Sequence, residues 1–305
     1  MKILLVGGTG LIGAFLKNKL TEEGYSVPIL SRRKSDDSQT FLWNAHEDHI
    51  DLNAFKGLSG IINLTGANIA EGRWTQKRKK ILYNSRILST RLLFETIKKN
   101  KIALDFFINS SAIGYYGTKK SAQIFTENDV SGTDFLAKLC LDWEKEALRF
   151  NELNIRTIII RTGIVLTKHE GALEKIKLPI KFGILPIFAN GKQLFSWIHI
   201  DDLIAIFINS ITNKNYIGPY NAVAPINNTY LEFNTKIAEV LQKKVIAIKT
   251  PTFILRLVFG EFAETLTRGN QIAVKKLTDE GFNFKFKDLD SALSSLLIED
   301  KFQKK

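Results

Sequence analysis

Cysteine occurs once in the 305 residues, at Cys140, which excludes a disulfide framework and any multi-cysteine metal site. Histidine is scarce as well. His46, His49, His169 and His199 stand without metal-ligand spacing, so no metal is expected. No run approaches the ~20 consecutive apolar residues of a membrane helix, and no membrane association is expected. Met1 and Lys2 are followed by only four apolar residues before glycines begin, unlike a secretory leader. The expected location is the cytoplasm, or an organelle if a targeting segment has been removed. Internal repeats, low-complexity tracts and clear linkers are also missing. Acidic residues are the last shortage: 31 stand against 43 Lys and Arg, a formal charge of +12. The densest basic run is Lys77, Arg78, Lys79 and Lys80, with Arg73 just before it. It reads either as a solvated helix turn or as a nucleic-acid patch. No nucleic-acid module surrounds it, so no nucleic-acid partner is expected, and the surplus suits an anionic small molecule.

What is present is the composition of an ordinary soluble protein, 45% hydrophobic and 24% charged. Apolar runs at residues 2–6, 26–30, 39–43, 60–64, 104–109 and 155–160 read as strands. Amphipathic stretches at 11–23, 76–99 and 134–152 read as helices, giving the alternation of a parallel sheet covered on its faces. The first helix should carry Ile12, Phe15, Leu16 and Leu20 on one face and close at Gly24. After about residue 166 the rhythm changes. Helices are expected at 172–182, 202–210 and 231–241, and strands at 195–200 and 220–223. Residues 251–297 should hold two or three short helices. The alternating Phe282, Phe284 and Phe286 suggest a half-exposed strand, with plain hydrophobic packing as the other reading. The fold class is therefore α/β, a Rossmann-like parallel sheet with helices on both faces plus a smaller C-terminal domain. Residues 1–166 would form the nucleotide-binding domain, to which the chain returns within 195–224. Residues 167–305 would form the smaller, substrate-side domain.

Glycines at 7, 10 and 13 give a G-x-x-G-x-x-G turn that follows a predicted strand and opens a predicted helix. Gly7 permits the tight turn, Gly10 lets backbone approach a pyrophosphate, and Gly13 lets helix pack closely on sheet. With Thr9, Leu11 and Ile12 they would present unpaired N–H groups and the positive end of a helix dipole to phosphates. At the end of the second strand, an NAD site places a carboxylate for the ribose hydroxyls. This chain has Ser31, Arg32, Arg33 and Lys34 there, with no carboxylate before Asp36. Arg can hold a 2′-phosphate by charge-assisted hydrogen bonds, at about 1.5–3 kcal/mol each, so NADP(H) is the expected cofactor. Leu64, Thr65 and Gly66 end a further strand with small residues that leave room for ribose or adenine. Arg86 shares a largely apolar helix face with Leu82, Ser89 and Leu93, and a buried cation needs a partner. Cofactor phosphate and a structural carboxylate are the two candidates.

These features, with the strand ending NLTG at 63–66 and INSSAIGYYG at 108–117, resemble the extended short-chain dehydrogenase/reductases, which include nucleotide-sugar epimerases. The YfcH-like atypical branch is nearer still, through RWT at 73–75, NSR at 84–86, FLA at 135–137 and Trp143-Glu144. The likeness continues in SWIHIDDL at 196–203 and NAVAP at 221–225, and in the tail as far as Gly281-Phe282. It implies an NADP-binding Rossmann-like domain with a small C-terminal domain, described as an epimerase or oxidoreductase of undefined substrate.

The departure from that pattern is as informative. The resembled enzymes use a Ser or Thr, a Tyr, and a Lys four residues after the Tyr. Ser111 stands at its strand end as that serine should, beside Ser110. The helix expected to carry the pair contains no tyrosine. Phe135 or Leu136 takes the tyrosine place and Leu139 or Cys140 the lysine place, while Lys138 has Asp134 four residues before it. General acid–base assistance is worth ~10²–10⁴ in rate, and neither Phe nor Leu supplies it. Tyr115 and Tyr116 are the substitutes the sequence offers, with aromatic packing as the other reading. The substrate is an unidentified small molecule, and the oligomeric state is not indicated. His199 reads as a proton shuttle or as a hydrogen-bonded residue at the domain junction, with Asp201 and Asp202 capping the next helix. Arg73 and Trp74 would line a substrate cleft or cover the cofactor edge.

Overall fold

A computed structural model describes residues 1–33, 35–118 and 123–298; Lys34 of the basic run lies outside the described residues. The chain runs through β1 (Ile3–Val6), α1 (Leu11–Glu22), β2 (Ile29–Ser31), β3 (Thr40–Asn44), β4 (His49–Ile50) and β5 (Gly60–Asn63). It continues with α2 (Gln76–Asn100), β6 (Phe106–Ala112), β7 (Ile124–Phe125), α3 (Phe135–Leu148), β8 (Arg156–Thr162) and β9 (Ile164–Leu166). Then follow α4 (Gly171–Lys181), β10 (Ile184–Phe188), β11 (Trp197–His199), α5 (Ile200–Thr212), β12 (Gly218–Ala222) and α6 (Tyr230–Val240). The tail holds β13 (Ile246–Thr250), α7 (Thr252–Phe259), α8 (Phe262–Thr267), β14 (Gln271–Ile272), α9 (Lys275–Asp279) and α10 (Leu289–Leu297).

Eight strands form one sheet in the order β12-β8-β6-β5-β1-β2-β3-β4, parallel except for the β3–β4 pair. It is a Rossmann-like sheet with helices on both faces. The period of two along β1 divides its side chains between two cores. Ile3 and Leu5 join α1 and α5 on one face, whereas Leu4 and Val6 meet Phe94 and Ile97 of α2 and Phe150 on the other. Phe107 and Phe150 stack there with centroids 3.7 Å apart. β12 brings residues 218–222 back to the large sheet, beside β8. A separate core gathers α4, β10, α6 and α10 around Phe233, Ile237 and Leu293.

α1 ends as expected: Gly24, at φ +83°, lets its N–H and that of Tyr25 reach the carbonyls of Thr21 and Leu20. Its apolar face differs by one residue. Ile12, Leu16 and Leu20 stand four apart and share a stripe, while Phe15 falls on the flank and is 42% exposed. The tail differs more. Phe282, Phe284 and Phe286 belong to no strand, and all three are buried in irregular chain. The first two enter the main core and the third enters the smaller one, so this stretch fastens the two together. The tail also carries four short helices among the described residues, more than the periodicity indicated.

Candidate dinucleotide site and reaction end

Val6 of β1 pairs with Leu30 of β2 and with Asn63 of β5, so the glycine loop, Ser31 and Leu64 emerge together at the carboxyl edge of the sheet. Gly7 has φ +84°, and a Cβ there would stand 3.0 Å from the Leu64 carbonyl. Gly13 has to be glycine for packing, because its Cβ would lie 2.4 Å from the Gly7 oxygen. Gly10 is different. Its φ is −81°, and its Cβ would meet nothing nearer than the Gly7 oxygen at 3.4 Å. Neither its backbone nor its neighbours require glycine there, which fits a position kept clear for an approaching ligand.

The start of α1 has the same character. Helices α2, α3, α5, α6 and α10 are capped by side chains of Thr75, Asp134, His199, Thr229 and Asp288. α1 has no side-chain cap and no acidic residue in its first turn, leaving its N–H groups and dipole open. α4, whose N-cap Glu170 also makes no side-chain bond, begins opposite it. Both helices open on a cavity of about 260 Å³ between Thr9–Leu11 with Phe15 on one wall and residues 167–170 on the other. That second wall, with Lys168 and His169, was not foreseen. The signal for it was Gly171, a φ +79° residue that passes within 3.1 Å of the Leu11 side chain at its ideal Cβ.

Arg32 and Arg33 are exposed beyond β2, in a turn closed by the Arg33 N–H donating to Ser31 Oγ at 3.1 Å. Neither guanidinium is ion-paired among the described residues. Thr65 is less free than its size implied: its hydroxyl donates to Asn63 Oδ1 at 2.6 Å. Asn63 in turn donates to Asn109 and Thr90, and Trp143 also donates to Thr90. Gly66 is exposed, and its missing Cβ makes room for the guanidinium of Arg86.

At the far end of β6, alternation decides which side chains face out. Ser110 and Ala112 are half-buried, whereas Ser111 is turned inward and donates to Glu144 at 2.6 Å. Glu144 accepts two further hydrogen bonds from Arg161, at 2.9 and 2.8 Å. Arg161 also donates to the Tyr116 hydroxyl at 3.0 Å, which itself donates to Asn221 at 2.6 Å. Burial alone would weaken the Arg161 cation, but the paired carboxylate holds its pKa above the ordinary arginine value. Burial pushes the Tyr116 phenol up to about 12 against the pull of Arg161. Ser111 and Tyr116, expected to meet a reacting group, thus direct their hydroxyl hydrogens to partners inside the protein. Tyr115 packs its ring on Arg161, 3.5 Å from the guanidinium carbon, and its hydroxyl has no hydrogen-bond partner among the described residues.

The chain is similar to known proteins over most of its length. Residues 3–223 match the model of the NAD dependent epimerase/dehydratase family, and residues 250–296 match a domain of unknown function, DUF1731. The chain belongs to that epimerase family. An epimerase family protein of Mycobacterium leprae is 31% identical over 293 residues, 96% of this chain and 94% of its own. One of Staphylococcus aureus is 32% identical over 298 residues, covering 97% and 99%. Among solved structures, the human epimerase family protein SDR39U1, crystallised with NADPH, superposes with a TM-score of 0.87. It is 27% identical and is covered to 99%, against 97% of this chain.

Within this epimerase-family chain, the helix that should carry the proton-transfer pair is α3, and it is built for packing. Leu136 presses on Gly114, whose Cβ would lie 2.5 Å from it. Leu139 and Cys140 are buried, and burial pushes the Cys140 thiol up to about 12. Lys138 is exposed, and Asp134 caps the helix by accepting from the Ala137 N–H. His199 is the N-cap of α5, where Asp201 and Asp202 were expected. Its Nδ1 accepts from the Asp201 N–H at 3.0 Å, which leaves Nε2 to donate to Ser295 at 3.1 Å. Asp202 instead accepts the N–H groups of Lys285 and Phe286, joining α5 to the tail. Trp74 is buried against Phe135 and Phe262, and so fastens α8. In the basic run, Arg78 pairs with Glu71 and Lys79 with Glu261. Among the described residues, no group of three metal-ligating side chains converges, and no helix is long and apolar enough to cross a membrane.

Proposed function

We propose that this chain binds NADP(H) and acts as an oxidoreductase or epimerase-like enzyme on a small carbonyl or sugar substrate in the cytoplasm. The observation that carries the reading is the uncapped start of α1 at the unobstructed Gly10, with Arg32 and Arg33 on the neighbouring strand end. The first-turn N–H groups and Thr9 would bind the diphosphate, and Arg32 or Arg33 the 2′-phosphate. Leu64 and Thr65 would border the ribose. When bound, the nicotinamide supplies hydride exchange. Within the chain, Ser111 and Tyr116 help hold the Glu144–Arg161 pair, and that pair seats Tyr115. The Tyr115 hydroxyl is then the group available to hydrogen-bond the reacting oxygen and move its proton. Neither nucleic acid nor membrane is part of this reading.

The test has two parts. Arg32→Asp should weaken NADPH about ten- to hundredfold more than NADH, since a charge-assisted hydrogen bond contributes about 1.5–3 kcal/mol. Equal loss for both would remove the 2′-phosphate assignment. Turnover of bound NADPH with a panel of ketones and nucleotide sugars then tests the enzyme, and Tyr115→Phe should abolish it. A second reading is favoured by the apolar Leu136 and Cys140 and by the engaged Ser111 and Tyr116. It is a non-catalytic protein that senses the redox state of NADP(H) and acts through a protein partner. That reading gains if both redox forms bind, partner affinity differs between them, and no substrate turns over.

A further inference from the structure

β10 and β13 form a parallel sheet of two strands against the smaller core, with Ile184 beside Ile246 and Pro186 beside Ile248. Leu185 and Ile187 turn inward to that core. Alternation therefore sends Ile184, Pro186, Ile246 and Ile248 to the opposite face. There Ile246 is 75% exposed and Ile248 48%.

The two edges of this sheet differ. The far side of β10 is closed by α6, whose Asn234 side chain donates to the Pro186 carbonyl at 2.7 Å. The far side of β13 is open. Ile246 donates its N–H to the Gly183 carbonyl at 2.8 Å, and the Thr250 carbonyl accepts from Ala189 at 3.3 Å. The peptide groups of Ile246, Ile248 and Thr250 thus face β10. Those of Ala247 and Lys249 point to an edge with no strand beside it among the described residues. Such an edge is a template for another chain.

The charge around the edge selects the chain. From Val240 to Gly260 the sequence carries Lys243, Lys244, Lys249 and Arg256 and no carboxylate. Arg256 pairs with Glu264. The three lysines enter no ion pair among the described residues. A second copy of the protein would bring these lysines against themselves, and like charges opposed across a strand pair are destabilising. A lipid surface would cover the isoleucines but could not hydrogen-bond the peptide groups of Ala247 and Lys249. An extended peptide meets both needs, and acidic side chains on it would answer the lysines.

We propose that the open edge of β13 is a docking site for an extended acidic segment of a partner protein, which adds to the sheet as a third strand. The surface shares no residue with the glycine loop or with Tyr115, so it does not depend on the NADP(H) reading.

Fluorescence anisotropy of a labelled peptide of alternating Val and Glu, titrated with the full chain, tests this beside the same peptide with Lys for Glu. The acidic peptide should bind saturably and the basic one should not. On binding, the Ala247 and Lys249 amides should become protected from hydrogen exchange. Ala247→Pro removes a donor from the open edge and spares the pairing with β10, so its Tm should hold while peptide affinity falls about tenfold. Lys244→Glu and Lys249→Glu should each weaken the acidic peptide about two- to fivefold, as loss of an exposed ion pair implies. The docking site is overturned if the wild type binds neither peptide, binds both equally, or keeps full affinity in Ala247→Pro. Binding to phosphatidylserine vesicles without peptide binding would make the surface a lipid one and overturn it too. So would a dimer in sedimentation that Ala247→Pro dissolves.

Discussion

Arg161 and Arg86 are both more than nine-tenths buried, yet their surroundings have little in common. Arg161 is matched by Glu144 through two hydrogen bonds and completed by Tyr116, the Glu127 carbonyl and the Tyr115 ring. Arg86 has two carbonyls and an indole. Buried charge is tolerable when its counter-charge is internal, and Arg161 therefore belongs to the framework. A buried charge without one is a standing cost that a bound anion would relieve. The difference separates a charge that the fold balances with a carboxylate from one that it leaves to two carbonyls and an indole. It also explains why Ser111 and Tyr116, sited where chemistry was expected, are drawn into the framework instead.

The contrast can be broken most forcefully at Glu144. Glu144→Gln leaves Arg161 buried without its carboxylate and should cost about 3–5 kcal/mol in denaturant unfolding. Arg86→Gln should cost nothing in the same assay. Equal losses would erase the distinction. A buried group held neutral sharpens the comparison next. Burial lowers the His199 pKa to about 4, despite Asp201 nearby. The unfolded chain takes up that proton near pH 6.5 and the folded chain does not. Its stabilisation is therefore complete above pH 6.5 and is lost as pH falls toward 4, by up to about 3 kcal/mol. His199→Gln should flatten that part of the stability–pH curve, and an unchanged slope would contradict the assignment. The smallest effect is expected at Tyr116→Phe, which removes one hydrogen bond to Asn221 and one from Arg161. About 1–2 kcal/mol should be lost, with NADPH affinity unchanged. A large loss of affinity would move Tyr116 out of the framework.

How much was legible in the chain itself depended on how local the cause was. The strand–glycine loop–helix unit could be read because Gly7 and Gly24 answer to a local positive φ and Gly13 to the Gly7 oxygen six residues before it. The basic end of β2 was equally plain, with Arg32 and Arg33 adjacent in sequence. Two-residue strands such as β7 and β14 left no pattern, since only their mutual pairing makes them strands. Alternation misled at Phe282, Phe284 and Phe286, where three aromatics enter two different cores from irregular chain. Ser111 was placed at the correct strand end, but its direction depends on Glu144, 33 residues away. The residues alone leave Arg86 between a phosphate and a carboxylate partner. Only the packed structure shows that its guanidinium meets two carbonyls and an indole, with the exposed Gly66 beside it.

Titration calorimetry of the wild-type chain with NADPH tests the central claim most directly. The account predicts saturable one-to-one binding that is tighter than for NADH and weakens as salt screens Arg32 and Arg33. Folded protein that gives no heat with NADPH, or that binds NADH as well as NADPH, would contradict it.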